Sequence, residues 1–171
     1  MLDKKIVKLI NEQINAELYS AYLYLDFANY YYEVGLDGFA NWYDIQVKEE
    51  FDHAMLMRQY MHNNDETVKF EAIAKPDQKY SNHDDPLKEG LEHERYITSL
   101  INKIYKTATE LDDFRTIHFL NWFVDEQGEE EKNASDLLTK YQLFASTPNG
   151  LYTLDKDLKT RTYNPPSLVL D

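Results

Sequence analysis

The chain has 171 residues, and its 31 Asp and Glu against 18 Lys and Arg give a formal net charge of −13 at pH 7. This acidity argues against nucleic-acid binding, because phosphate contacts require clustered Lys and Arg. The absence of cysteine excludes disulfides, thiolate zinc sites and iron–sulfur clusters, and the 43% hydrophobic content predicts one folded domain of ordinary size.

Four long segments without internal proline have the composition of helices. The breaks between them predict helix A over about 4–34, helix B over about 37–63, helix C over about 86–110 and helix D over about 113–145. Gly35 suits the left-handed residue that ends a helix, and Asp37 and Asp85 are predicted to be the N-caps of helices B and C. Thr147 and Pro148 predict the start of a short helix E.

The connection lengths predict the topology of a helical bundle. Helices A and B, and helices C and D, are joined by only a few residues, so each pair is expected to form an antiparallel hairpin. The connection between helices B and C has about 20 residues, which can extend over roughly 60 Å, and helix B is only about 40 Å long. We therefore expect a long crossover that leaves helices B and C parallel, as in ferritin-like four-helix bundles. Residues 1–145 are predicted to form this bundle, and residues 146–171 helix E and an extended tail.

Each long helix carries a glutamate in the middle of its apolar face. The three-or-four residue spacing of buried positions places Glu17, Glu50, Glu94 and Glu130 on such faces. A buried carboxylate carries a desolvation penalty of several kcal/mol, and four at one depth also repel one another. A pair of divalent metal ions would resolve both problems by supplying positive charge where the carboxylates converge.

The segment Glu50-Phe51-Asp52-His53 strengthens the prediction of a metal site. Residues three apart share a helix face, so Glu50 and His53 can offer an oxygen and a nitrogen ligand together. Carboxylate with imidazole suits iron or manganese. Glu49, Glu126 and Glu129 form a second acidic layer beside this set, which is either a further cation site or a solvated acidic face.

These residues resemble those of the prokaryotic non-haem ferritins, and the resemblance extends over about residues 4–145. The family has a di-iron ferroxidase centre, which the resemblance assigns here to Glu17, Glu50, His53, Glu94, Gln127 and Glu130. It further implies a nearby tyrosine at Tyr24, either redox-active or simply packed, and a third iron site at Glu49, Glu126, Glu129 and Glu130.

Two departures from the haem-binding bacterioferritins predict that this chain binds no haem. Their second Glu-x-x-His motif is missing here, because Asn133 stands three residues after Glu130. Their haem-binding methionine directly follows the helix-B glutamate, and that position is Phe51 here.

The resemblance implies an iron-storage protein that oxidises Fe(II) to Fe(III) with O₂ or H₂O₂ and deposits ferric oxyhydroxide inside a cage of 24 subunits. The alternative is a di-iron oxidase or peroxide-detoxifying protein of smaller oligomeric state. The charged N-terminus offers no signal-peptide core and no apolar run reaches about 18 residues. We therefore expect a cytoplasmic protein that neither enters a membrane nor binds nucleic acid.

Overall fold

The computed structural model describes residues 2–170 and contains five α-helices in that range. They are α1 (Lys4–Glu33), α2 (Asp37–Asn63), α3 (Asp85–Glu110), α4 (Phe114–Phe144) and α5 (Pro148–Leu158). Helix α1 packs against α2 and α3, α3 packs against α4, and α5 contacts α2 and α4. The predicted all-α four-helix bundle with a short fifth helix is confirmed. None of the helices in the described range has the length and hydropathy that a bilayer-spanning segment requires.

The helix ends agree with the sequence prediction at two positions. Gly35 has φ of +77°, the left-handed conformation that glycine adopts without steric cost. The Thr147 side chain accepts a hydrogen bond from the Gly150 N–H at 3.1 Å and thus caps α5 just before Pro148.

The predicted N-caps of the second and third helices are wrong. Asp37 is the first helical residue of α2 and not its cap. The free N–H groups at the start of this helix, those of Gly38 and Phe39, donate instead to Asp155 Oδ1 of α5 at 2.8 and 3.1 Å. Asp85 is the first residue of α3, and its carboxylate reaches backwards to accept hydrogen bonds from the preceding turn. At α2 a tertiary contact thus satisfies the donors that a local cap would otherwise serve, whereas at α3 the aspartate stabilises the turn before the helix.

The 21-residue connection between α2 and α3, residues 64–84, runs along α1. Near its start, the backbone of Lys69 exchanges hydrogen bonds with the side chains of Asn11 and Asn15. Near its end, the Tyr80 hydroxyl donates to Asp26. Since these contacts follow α1 from its first third towards its C-terminal part, the connection passes along the bundle, and α2 and α3 are parallel.

The buried interior consists of two hydrophobic clusters. One lies around the first half of α1 and includes Ile10, Met57 and Phe123, whereas the other lies around its second half and includes Phe27 and Phe39. Between them lie buried polar side chains from all four long helices, which we call the polar layer: Gln13, Glu17, Gln46, Glu50, His53, Glu94, Gln127 and Glu130. The bundle thus buries the side chains that carry the largest desolvation penalty near the middle of its length.

Glycine 38 marks the point where α5 meets α2, and its substitution tests this contact. A Cβ built on Gly38 would stand 1.7 Å from the carbonyl oxygen of Asp155, so Gly38→Ala must displace α5. A Cβ on the helical Gly128 meets nothing within 4 Å. In thermal unfolding, we expect Gly38→Ala to lose at least about 2 kcal/mol and the control Gly128→Ala to gain about 0.5–1 kcal/mol. Equal stability of the two variants would contradict the close packing of α5.

Candidate metal centre

Four helices deliver the predicted ligands to one depth of the bundle. Helix α1 supplies Glu17, α2 supplies Glu50 and His53, α3 supplies Glu94, and α4 supplies Gln127 and Glu130. All six side chains are buried, and the most exposed, Glu130, retains only 5% of its accessible surface. Buried acids in this number require either protonation or cations, because a lone buried carboxylate is strongly disfavoured.

Histidine 53 lies at the centre of two groups with metal-ligand geometry. Potential ligand atoms of Glu17, Glu50 and His53 lie within 4.8 Å of one another, and so do those of His53, Glu126 and Glu130. His53 Nδ1 is 3.5 Å from Glu50 Oε2, and His53 Nε2 is 3.7 Å from Glu126 Oε1. Adjacent carboxylate and imidazole donors of this kind can hold first-row divalent metals.

Some of these buried ligand atoms have no hydrogen-bond partner. In the described part of the chain, the buried side-chain atoms without a partner are Glu17 Oε2, Gln46 Oε1, Glu50 Oε1 and His53 Nδ1. Buried polar atoms are normally hydrogen-bonded, because an unsatisfied one costs about 1–3 kcal/mol. All four belong to the polar layer, and three of them are metal-ligating atom types that a cation would satisfy.

Glutamate 94 is oriented by two neighbours. The Tyr24 hydroxyl donates a short hydrogen bond to Glu94 Oε1, and the Gln127 side-chain amide donates to Glu94 Oε2 at 3.2 Å. The same amide lies 3.3 Å from the Thr98 hydroxyl oxygen. Tyr24 and Gln127, two residues singled out by the family resemblance, therefore both contact the α3 carboxylate.

Two glutamines of the polar layer had no role in the sequence prediction. Gln13 Nε2 donates to Glu17 Oε1 and Gln46 Nε2 donates to Glu130 Oε2, each at 2.8 Å. Each amide fixes one carboxylate oxygen and leaves the other available, as residues that orient metal ligands commonly do. The available signal was their position: each lies four residues before a glutamate on a core-facing stripe.

Burial raises the pKa of every glutamate in the layer. The pKa of Glu94 rises to about 7 because burial disfavours its charged form, although the hydrogen bonds from Tyr24 and Gln127 oppose this. Burial, followed by repulsion from Glu94, raises the pKa of Glu130 to about 8. Burial, followed by the same repulsion, raises the pKa of Glu50 well above its usual range. Without a cation, the layer therefore binds protons at neutral pH.

The imidazole of His53 responds to these carboxylates. Burial alone would lower its pKa, but the nearby carboxylates of Glu126, Glu50 and Glu17 favour the charged imidazolium and raise the pKa well above its usual range. In the metal-free protein, the proton of His53 gives the layer a positive charge, and the protons of the glutamates neutralise their carboxylates. A metal ion must displace them in order to bind.

The three acids of the second layer have different surroundings. Glu126 is partly buried beside His53, whereas Glu129 is exposed. Glu49 is paired with Arg161 of the C-terminal tail, with 2.8 Å between Glu49 Oε2 and Arg161 Nη2. No function was predicted for this tail, because its sequence has neither periodicity nor a motif.

Comparisons with known proteins agree with this architecture. Residues 7–144 match the ferritin-like domain family. The bacterial non-heme ferritin of Campylobacter jejuni is 37% identical over 159 residues, which are 93% of this chain and 95% of that protein. A probable bacterial non-heme ferritin-like protein of Haemophilus influenzae is 34% identical over 92% of this chain and 96% of its own.

Solved structures show the same likeness. A closed form of the Archaeoglobus fulgidus ferritin, engineered by site-directed mutagenesis, is 38% identical and superposes with a TM-score of 0.93 over 96% of this chain and all of its own. The open-pore ferritin of the same archaeon gives a TM-score of 0.92 over 95% of this chain. The family match covers most of the sequence, and the helices place carboxylates and a histidine where the sequence predicted them. The chain belongs to the ferritin family.

Proposed function

We propose that this protein stores iron and that the polar layer is its di-iron ferroxidase centre, which oxidises Fe(II) to Fe(III). The observation that carries the proposal is the set of buried ligand atoms without partners, Glu17 Oε2, Glu50 Oε1 and His53 Nδ1, at the convergence of four helices. Fe(II) is a substrate that satisfies these atoms and neutralises the carboxylates around them.

In this proposal, Glu17 and His53 hold one Fe(II), and Glu94 and Glu130 hold the other. Glu50 lies between the two positions: it is grouped with Glu17 and His53, and its pKa responds to the charge of Glu94. Two Fe(II) ions supply two electrons, which with two protons reduce O₂ to H₂O₂ or H₂O₂ to two water molecules. The protons that the carboxylates and His53 release on binding iron are available for this reduction.

The neighbouring residues maintain the geometry of these ligands. Gln13 and Gln46 each hold one oxygen of a carboxylate, and Tyr24 and Gln127 fix Glu94. Such contacts reduce the rearrangement required when metal binds. Gln127 is neutral and already donates to Glu94, so we assign it an orienting role. Tyr24 has a pKa well above its usual range because it is buried beside Glu94 and Glu50, so it stays protonated and donates to Glu94.

The assembly state distinguishes a storage protein from a small di-iron oxidase or peroxide-detoxifying protein. A cage of 24 chains of 20.3 kDa has a mass of about 490 kDa. We expect gel filtration with light scattering to give this mass, and aerobic iron loading to add many more than two iron atoms per subunit to the same particle. A monomer or dimer that retains no more than two or three would favour the alternative. We propose a cytoplasmic location for this store.

A further inference from the structure

The tail after α5, residues 159–170, forms an ordered segment that we call the C-terminal strap. It follows α2, because Lys159 pairs with Asp37 at 3.0 Å, Arg161 pairs with Glu49, and the Tyr163 hydroxyl donates to Asp52. These partners lie progressively further along α2. The strap then reaches α4, where Trp122 Nε1 donates to Ser167 Oγ at 2.9 Å.

The strap therefore lies across α2 and α4 on the side of the second acidic layer. Helices α2 and α4 meet beneath it through their side chains, with the Tyr60 ring stacked on that of Phe119 and Gln46 Nε2 donating to Glu130 Oε2. Leu168 and Leu170, near the end of the strap, pack against the first hydrophobic cluster. Both ends of the strap are thus anchored, and Arg161 is held between the anchors.

Arg161 is fixed more firmly than an ordinary surface arginine. Its Nη2 contacts Glu49, its Nη1 donates to the Trp42 carbonyl oxygen at 3.1 Å, and its guanidinium lies 4.1 Å from the centre of the Trp42 ring. The Asn41 side-chain amide also donates to the Arg161 carbonyl oxygen at 3.1 Å. The Arg161 and Glu49 side chains are only 19% and 18% exposed, respectively, so this pair is screened less than exposed pairs are.

We infer that the strap uses Arg161 as a built-in cation at Glu49, and that docking of the strap opposes the binding of a third metal ion by the second acidic layer. Arg161 occupies Glu49 Oε2, and Glu49 lies near enough to Glu126 of α4 for the charges of the two carboxylates to interact. A cation that uses Glu49 must replace the guanidinium. By linkage, if the docked strap lowers the affinity for the cation by some factor, the bound cation lowers the equilibrium constant for strap docking by the same factor. This inference rests on the proposed function, because it concerns how strongly a third metal ion binds beside the same centre.

Titration of the metal-free protein with Tb³⁺, a hard cation that prefers oxygen ligands, tests the first half of the inference. We expect Arg161→Gln to tighten the weakest class of Tb³⁺ sites by on the order of tenfold in calorimetry. The matched control is Lys156→Gln, which removes the same charge from an exposed position of α5, before the strap begins, and is expected to bind Tb³⁺ like the parent. The inference is overturned if Arg161→Gln binds this class no more tightly than Lys156→Gln does, since Arg161 would then have no effect on the site or would support it.

Chymotrypsin cleavage after Tyr163 tests the reciprocal half. We expect Tb³⁺ to accelerate cleavage of the parent strap, and Glu49→Gln to be cleaved quickly with or without Tb³⁺. Cleavage of the parent that does not respond to Tb³⁺ would overturn the inference. Neither measurement requires iron oxidation. A parent protein that fails to oxidise Fe(II) would therefore refute the proposed function, whereas the Tb³⁺ experiments alone decide the role of the strap.

Discussion

Replacing Glu50 by Gln is expected to slow the oxidation of Fe(II) by at least about 100-fold, the upper end of the loss seen when a residue that merely orients a metal ligand is removed. The amide keeps the shape of the side chain and removes the charge that both metal positions of the proposed centre would share. The reaction is followed by the absorbance of ferric iron after two Fe(II) per subunit are mixed with aerobic buffer. Anaerobic calorimetry should show weaker binding of both ions.

The control for this experiment is Glu12→Gln. Glu12 lies on α1, outside the polar layer, and has an exposed side chain that pairs with Lys8 at 3.7 Å. It loses the same charge and should oxidise iron at the rate of the parent protein. If Glu50→Gln also kept the parent rate while remaining folded, the centre proposed here would be the wrong site.

The stability of the metal-free protein is expected to fall as the pH rises from about 5 to 8. Glu94 and Glu130 have pKa values of about 7 and 8 in the folded protein, above the 4.5 of an unperturbed glutamate. At pH values between these limits the folded state holds protons that the unfolded state has released. The contribution of the two glutamates to the free energy of unfolding therefore falls from about pH 4.5 upwards, and it has been lost once the pH exceeds the folded pKa values of about 7 and 8. His53, whose pKa is also raised, acts in the same direction. Calorimetry in the presence of a chelator measures the effect.

The variant Glu130→Gln should flatten this pH dependence. The variant has a neutral amide where the parent has a buried carboxyl that becomes charged as the pH rises, so it avoids the loss of stability that this charge causes. For a chain of this size, each 1 kcal/mol of unfolding free energy regained at pH 8.5 raises the melting temperature by about 2–4 °C. Near pH 4.5 the variant and the parent should melt at similar temperatures, because the carboxyl is then protonated in the folded state and still about half protonated in the unfolded state. Iron oxidation should fall in the same variant, because the carboxylate is a proposed ligand. An unchanged slope between about pH 5 and 8 would show that the layer does not titrate as its burial implies.

The helices and the buried acids could be predicted from the sequence because both follow from local periodicity. Gly35 and Thr147 carry their own signals, one as a left-handed residue and one as a cap. The glutamates were identifiable because each interrupts an apolar stripe. The N-caps at Asp37 and Asp85 were wrong because capping depends on where neighbouring segments lie. No local rule could reveal that Asp155 of α5 would serve the start of α2.

The strap could not be predicted for a related reason. Residues 159–170 form no helix, and an extended segment acquires its role only from what it lies against. Arg161 is one of many charged residues in the sequence, and only folding places it on Glu49 and Trp42. The two glutamines that orient Glu17 and Glu130 are intermediate cases. Their positions on core-facing stripes were visible in the sequence, but their hydrogen bonds were not.

The division of the interior into two hydrophobic clusters has a consequence for motion. In the metal-free protein, the polar layer between the clusters contains buried atoms without hydrogen-bond partners, so we expect the bundle to open locally more readily there than within either cluster. Iron bound there would reversibly connect the four helices through their shared ligands. Amide hydrogen exchange should therefore slow at the middle of all four long helices on loading and quicken again on release. Each cycle of filling and emptying the centre would alternately stiffen and relax the wall of the proposed store.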